Sequence, residues 1–338
     1  MSDAIAQVQD TTYGQFGIGI TNGTFESISI RTCIRGNPRG GGNDDDDNQG
    51  DEEGEEQYPL LLFSPGVEES RLVYANFLSS VASQGFVVVA VDHPYDVNAV
   101  EFPDGEVIQG INMTKDESTT LLDLRTRVED MSFVLSQISP SSQSPSPAAF
   151  PSPPSVAPPS PSKKRGNKPN PILPPAVQQK TKVSDPVIFG HSFGGATAAQ
   201  ALYVDPRFVG GVNLDGILFG SVVGSGFGKP FLEMKSQTSS SVRDSTWKKF
   251  FGKLTGWKLQ VQVQGAQHES FSDLGEIVNA IGAKGKNVDE IVGTISGERM
   301  IEIMTAYVSA TARQAVLGTK EKLLDGPSKE YPEVKFLD

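Results

Sequence analysis

The chain has 338 residues, 35 of them Gly and 23 Pro, a single Cys, and a formal net charge of -12. Much of the Pro sits in one stretch, so the foldable part is shorter than the chain, roughly 260 residues, which suits one domain with a substantial core. Nine of the acids fall between Asp44 and Glu56 and the rest carries only about -3, so the acidity belongs to an insert and nucleic acid is not an expected partner. Cys33 alone can form neither an internal disulfide nor a CxxC metal site. No apolar run reaches the length of a membrane span. Met1 to Ala6 has no basic start and no apolar core, so the chain as it stands reads as intracellular, or as secreted if a signal peptide was trimmed.

Along residues 1–35, Ile18, Ile20, Phe25, Ile28, Ile30 and Cys33 alternate weakly, broken by Gly17, Gly19 and Asn22-Gly23, which predicts an early antiparallel hairpin. Residues 36–57 are Gly-rich and then acidic, with almost nothing to bury, and are expected to be a disordered loop. Tyr58–Ser64 is a continuous apolar run stopped by Pro65-Gly66, the pattern of a strand covered on both faces. A helix over about 70–83 and a second all-apolar strand, Phe86–Val91, complete a βαβ unit and predict a mostly parallel central sheet flanked by helices.

From Asp116 to Ile138, apolar residues at Leu121, Leu124, Val128, Met131, Leu135 and Ile138 are spaced for a long amphipathic helix. Residues 139–178 alternate Ser and Pro around Lys163, Lys164, Arg165 and Lys168, and are expected to be a second disordered insertion. Patterned sequence resumes over 179–338: a strand at 186–190, a helix at 193–203, strands at 208–214, 230–234 and 259–263, a helix with Asp244 as its N-cap, and a last helix at 298–311.

Gly190-His191-Ser192-Phe193-Gly194 lies between the strand Val187-Ile188-Phe189 and a helix of small residues. There the serine would occupy a strained strand-to-helix turn with its hydroxyl exposed at the mouth of the sheet. A serine hydroxyl is too weak an acid to attack unaided and needs a base. The chain has only three histidines. His191 adjoins the serine and points away from it on the turn, and His93 precedes it in the chain. His268, after the strand ending at Val263, is left as the base. The carboxylate that orients the imidazole is best placed at Asp215, directly after a strand at the edge where open α/β sheets bind ligands, with Glu233 as the rival. Asp205 and Asp244 belong to helix ends. A developing oxyanion needs two backbone N–H donors: Phe193 after the serine, and Val67 just past Pro65-Gly66, proline having no N–H.

Phe63-Ser64-Pro65-Gly66-Val67, the strand Gly85–Asp92 followed by His93, Gly190–Gly195, Asn213-Leu214-Asp215-Gly216 and His268–Asp273 together resemble the successive motifs of plasma-type platelet-activating-factor acetylhydrolases, the group VII phospholipases A2. The resemblance runs from about Tyr58 to Leu317 and leaves out the Pro-rich stretch. It implies an α/β-hydrolase fold and a calcium-independent serine esterase that removes short or oxidised sn-2 acyl groups from phospholipids; peripheral contact with a membrane or lipid particle is a separate expectation for such a substrate. It implies the same triad, Ser192, Asp215 and His268, the same donors, Val67 and Phe193, and no metal or organic cofactor. The chain departs from the family where Pro65 replaces a frequent His and in both inserts. Two other readings keep the fold: a lactone, thioester or small-ester hydrolase of secondary metabolism, and a non-catalytic binding protein.

Overall fold

The computed structural model describes residues 11–13, 16–25, 28–36, 57–102, 107–111, 116–139, 173, 175–238 and 240–337, those before 57 by backbone alone. The acidic run and most of the Ser/Pro-rich stretch, both expected to be disordered, lie outside the described residues. In chain order the strands and helices are β1 (Thr11–Tyr13), β2 (Phe16–Phe25), β3 (Ile28–Gly36), β4 (Tyr58–Ser64), α1 (Ala75–Ser83), β5 (Val87–Asp92), β6 (Ala99–Glu101), β7 (Val107–Gln109), α2 (Glu117–Ile138), α3 (Pro175–Gln179) and β8 (Thr181–His191). They continue with α4 (Phe193–Val204), β9 (Gly210–Leu214), α5 (Val222–Ser225), β10 (Phe231–Lys235), α6 (Ser241–Phe251), β11 (Lys258–Val263), α7 (Leu274–Ala280), α8 (Lys286–Val292), α9 (Gly297–Leu317) and β12 (Val334–Phe336).

Ten strands form one sheet in the order β1-β2-β3-β5-β4-β8-β9-β10-β11-β12. The six from β5 to β11 pair in parallel, and antiparallel strands close both edges. The continuous apolar runs of β4 and β5 are explained by two cores. Leu61 and Phe63 face α1 and α9 on one side, and Leu60 and Leu62 face α2 and α4 on the other. A strand with helices on both faces has no position where a polar side chain reaches water.

The chain leaves β4 for β5 in one direction and returns to place β8 on the other flank of β4. The loops after β4 and β8 therefore diverge from adjacent strand ends, which opens a crevice at this switch point. Ser192 follows β8, and Pro65 to Val67 follow β4.

Several boundaries differ from those the sequence predicts. β2 runs straight through Asn22-Gly23, whose residues pair with Arg31 and Ile30 inside a ladder that continues to the Phe25–Ile28 pair. β8 begins at Thr181, five residues before the apolar run, since its polar start pairs with Tyr58 and Pro59 at the rim of the sheet. α6 is capped by the Ser240 hydroxyl, which accepts from the Arg243 N–H; Asp244 sits inside the first turn and is not the cap. Leu173 and Val177, within the stretch expected to be disordered, are buried in the α2 and α4 core. The short elements β6, β7, α7, α8 and β12 carry no periodic pattern of their own; they form against neighbours remote in sequence or in short turns.

Candidate active site

Ser192 stands at the turn between β8 and α4 with φ 54° and ψ -121°. A non-glycine residue held in that region costs on the order of 1–3 kcal/mol and persists only where its surroundings enforce it. The glycines supply the enforcement: a Cβ on Gly190 would meet the Gly194 backbone, and one on Gly194 would meet the Ser64 carbonyl oxygen. The Ser192 N–H donates to the Leu214 carbonyl at 2.9 Å, which ties the turn to the end of β9.

That strand end carries Asp215, also at positive φ, 57°. The Asn213 side chain clasps the bend: Nδ2 donates to the Gly216 carbonyl at 2.9 Å, and Oδ1 accepts from the Gly216 N–H at 2.9 Å. Asp215 Oδ2 lies 2.7 Å from Nδ1 of His268, and His268 Nε2 lies 2.9 Å from Ser192 Oγ. The three residues are thus brought into one hydrogen-bonded chain. The other oxygen, Oδ1, accepts from the Ser236 N–H at 2.7 Å and from Arg243 Nη1 at 2.5 Å. Its free orientation is gone, so the carboxylate can only present Oδ2 to the imidazole.

His268 opens a single 3-10 turn, His268–Phe271. The turn is fastened by Ser270 Oγ, which accepts from the Gln267 N–H at 2.8 Å and donates to the Val292 carbonyl at 2.7 Å. Asp273, at the end of the same motif, accepts from the N–H groups of Asn76 and Phe77 and so caps α1. The His268 side chain remains 45% exposed, open to solvent and substrate.

His191 contributes from behind. Its Nε2 donates to the His268 carbonyl at 3.0 Å, and its Nδ1 lies 2.7 Å from Tyr74 Oη, whose hydroxyl also bonds Glu69. Burial opposes charge on this imidazole, but the hydrogen bond and charge of Glu69 outweigh it, with help from Glu269 and Asp215, and hold His191 above its ordinary pKa. The ring pins the backbone of His268 without reaching Ser192.

Glu233 is not an alternative to Asp215. It lies inside the core, its Oε2 accepting from Gln260 Nε2 at 2.6 Å, and burial pushes its carboxyl up to about 8. Asp205 is likewise remote, paired with Arg207 and Ser132.

Val67 and Phe193 flank the crevice, one after β4 and the other at the start of α4. Among the described residues, neither of their N–H groups is spent on a protein acceptor. Sequence reasoning did not find the two buried arginines around the site, Arg127 and Arg243. One signal was available for the first: Arg127 lies on the apolar stripe of α2, between Leu124 and Val128.

A second Ser-His-Asp chain sits at the foot of the β4 loop. Ser64 Oγ is 3.0 Å from His93 Nε2, and His93 Nδ1 is 2.7 Å from Asp130 Oδ2. Burial, then the charge of Arg127, lowers the His93 pKa, so its ring is neutral, accepting from Ser64 and donating to Asp130.

The parallel sheet, the strained serine turn at its switch point and the flanking helices are those of an α/β hydrolase. A ferulic acid esterase from Streptomyces cinnamoneus, solved at 2.4 Å, shares this fold with a TM-score of 0.70 over 92% of this chain and 89% of its own, at 23% identity. Within that class the chain belongs to the platelet-activating factor acetylhydrolase, isoform II, family, whose model matches residues 44–136 and 176–315. It is 31% identical over 295 residues to an Arthroderma benhamiae protein named "Probable 1-alkyl-2-acetylglycerophosphocholine esterase", a match covering 83% of this chain and 66% of that protein. It is 26% identical over 278 residues to the platelet-activating factor acetylhydrolase of Cavia porcellus, covering 75% of this chain and 58% of that one. The chain therefore spans less than two thirds of the length of these curated relatives.

Proposed function

We propose that the protein is a serine carboxylic ester hydrolase that cleaves short or oxidised sn-2 acyl groups from glycerophospholipids of the 1-alkyl-2-acetylglycerophosphocholine type. The observation that carries the chemistry is the chain Asp215–His268–Ser192, with spacings of 2.7 and 2.9 Å at a half-exposed imidazole. His268 Nε2 takes the hydroxyl proton as Ser192 Oγ attacks the ester carbonyl. Asp215 fixes the tautomer and stabilises the imidazolium, and the Val67 and Phe193 N–H groups receive the oxyanion. Collapse expels the alcohol, protonated by His268, and leaves an acyl-serine. Water, deprotonated by the same imidazole, then releases the acid and restores the hydroxyl. The phospholipid assignment is supported by the family and by the relatives' names, and lactones or thioesters are the competing substrates for the same machinery.

The test has two stages. A fluorophosphonate should label wild type and spare Ser192→Ala; equal labelling of both would sink the nucleophile assignment. Hydrolysis of 2-acetyl and long-chain 2-acyl phospholipids is then compared with a lactone panel. Preference for 2-acetyl phospholipid is expected, and faster turnover of a lactone would move the substrate assignment while leaving the triad in place.

A further inference from the structure

Arg127 is 1% exposed, deep under the loop that follows β4. A guanidinium has five N–H groups in a rigid fork, and here all five have a partner. Nε and Nη2 donate to the Asp96 carboxylate at 2.5 Å each. The remaining Nη2 hydrogen goes to the Gly66 carbonyl at 3.0 Å, and Nη1 donates to the Pro65 carbonyl at 2.6 Å and to Ser64 Oγ at 3.4 Å. Three consecutive residues, the last of β4 and the first two of the loop after it, are therefore gripped by a single side chain.

The consequence follows from the planarity of the peptide bond. The Gly66 carbonyl belongs to the same peptide unit as the Val67 N–H, and no peptide in the described residues is cis, so the two point in opposite directions. Holding the carbonyl inward on Arg127 turns the Val67 N–H outward to the crevice. The flanking units are fixed as well: the Gly66 N–H donates to Tyr74 Oη at 3.1 Å and the Glu68 N–H to Asp96 Oδ1 at 3.4 Å. On its other side the guanidinium lies 5.0 Å from the ring centroid of Phe193, the residue whose N–H is the second donor. One cation touches the segments that carry both donors.

We infer that Arg127, paired with Asp96, is a positioning residue for oxyanion stabilisation, acting through the Gly66–Val67 peptide. The inference rests on the reading of Ser192 and Val67 given above. Its charge is neutralised by Asp96, so its contribution is the direction of a dipole and not a cation at the reacting carbonyl. A lysine at this position has three donors on a flexible stem and no planar fork, so it can keep the ion pair but not grip two carbonyls at once.

Arg127→Lys and the double variant Arg127→Met with Asp96→Asn, which removes both charges together, separate this role from simple support. Turnover of 4-nitrophenyl acetate is expressed per site titrated by a fluorophosphonate, so unfolded protein drops out of the count. Affinity is measured for a trifluoromethyl ketone, which adds to the serine as a tetrahedral oxyanion, and for the matching amide, which binds without adding. A displaced donor is expected to lower kcat about 100-fold in the double variant, and less in the lysine variant, with KM within about threefold. Ketone affinity should fall by the same factor as kcat while amide affinity holds. Arg125→Gln, on the exposed face of the same helix, should match wild type. Variants that keep kcat and ketone affinity within threefold would overturn the inference. So would equal weakening of ketone and amide, or loss of every titratable site in both variants, because either makes Arg127 a general structural support. A wild type that neither labels nor cleaves the ester overturns the Ser192 reading instead, before any Arg127 variant is considered.

Discussion

Ser192–His268–Asp215 and Ser64–His93–Asp130 have the same hydrogen-bond order and nearly the same distances, 2.9 and 2.7 Å in the first and 3.0 and 2.7 Å in the second. They differ in access and in backbone. The His268 side chain is 45% exposed and its serine sits on a strained turn, whereas Ser64 is 0% exposed at the end of a strand. In the second chain Ser64 and His93 are both buried, and Ser64 Oγ is engaged by His93 and Arg127 at the foot of the loop that leads to Val67. Side-chain geometry alone therefore does not define a serine hydrolase site. An approach path and an oxyanion pocket complete it.

The comparison breaks most visibly at the serines. Ser192→Ala should lower kcat by on the order of 10^6, as removal of a triad nucleophile does. Ser64→Ala should lower it less than tenfold and cost about 1–2 kcal/mol of stability through its lost hydrogen bonds, read by urea unfolding. Loss of fluorophosphonate labelling in Ser64→Ala would mean that the buried chain has access after all.

A smaller effect is expected at the buried cation that orients the exposed chain. Arg243→Met removes a donor from Asp215 Oδ1 while the Ser236 N–H remains. We expect kcat to fall about tenfold through looser carboxylate geometry, and stability to fall by about 3 kcal/mol from the broken buried pair. An unchanged kcat would show that Ser236 alone suffices.

The smallest effect on turnover is at Glu233. Its folded pKa is raised from 4.5 to about 8 by burial, so its contribution to stability is fully present below 4.5 and is lost as pH rises through 8. Glu233→Gln should flatten the fall in Tm between pH 6 and 9 and leave kcat within about twofold. A large loss of kcat would return Glu233 to contention as the triad acid.

Much of the site was legible in the chain. Ser192 is marked by its glycines, His268 is left by elimination among three histidines, and Asp215 by its place directly after a mostly apolar strand. The layered α/β architecture was equally legible, because Leu60–Phe63 of β4 and Val87–Val91 of β5 are unbroken apolar runs and α2 has a clear stripe. The arginines were not. Arg127 and Asp96 are 31 residues apart, and Arg243 and Asp215 are 28 apart, so neither pair has a local signature. The same holds for His93 and Asp130, which meet only when α2 packs on the end of β5.

The sequence by itself determined which side chains could do acyl-transfer chemistry and which strands carry them, since local periodicity and the steric demands of the serine turn are written in neighbouring residues. Only the tertiary structure decided which of two Ser-His-Asp chains has an exposed imidazole, and which arginine grips the backbone that follows β4. Burial, and the partners it obliges buried polar groups to find, depend on segments tens of residues apart.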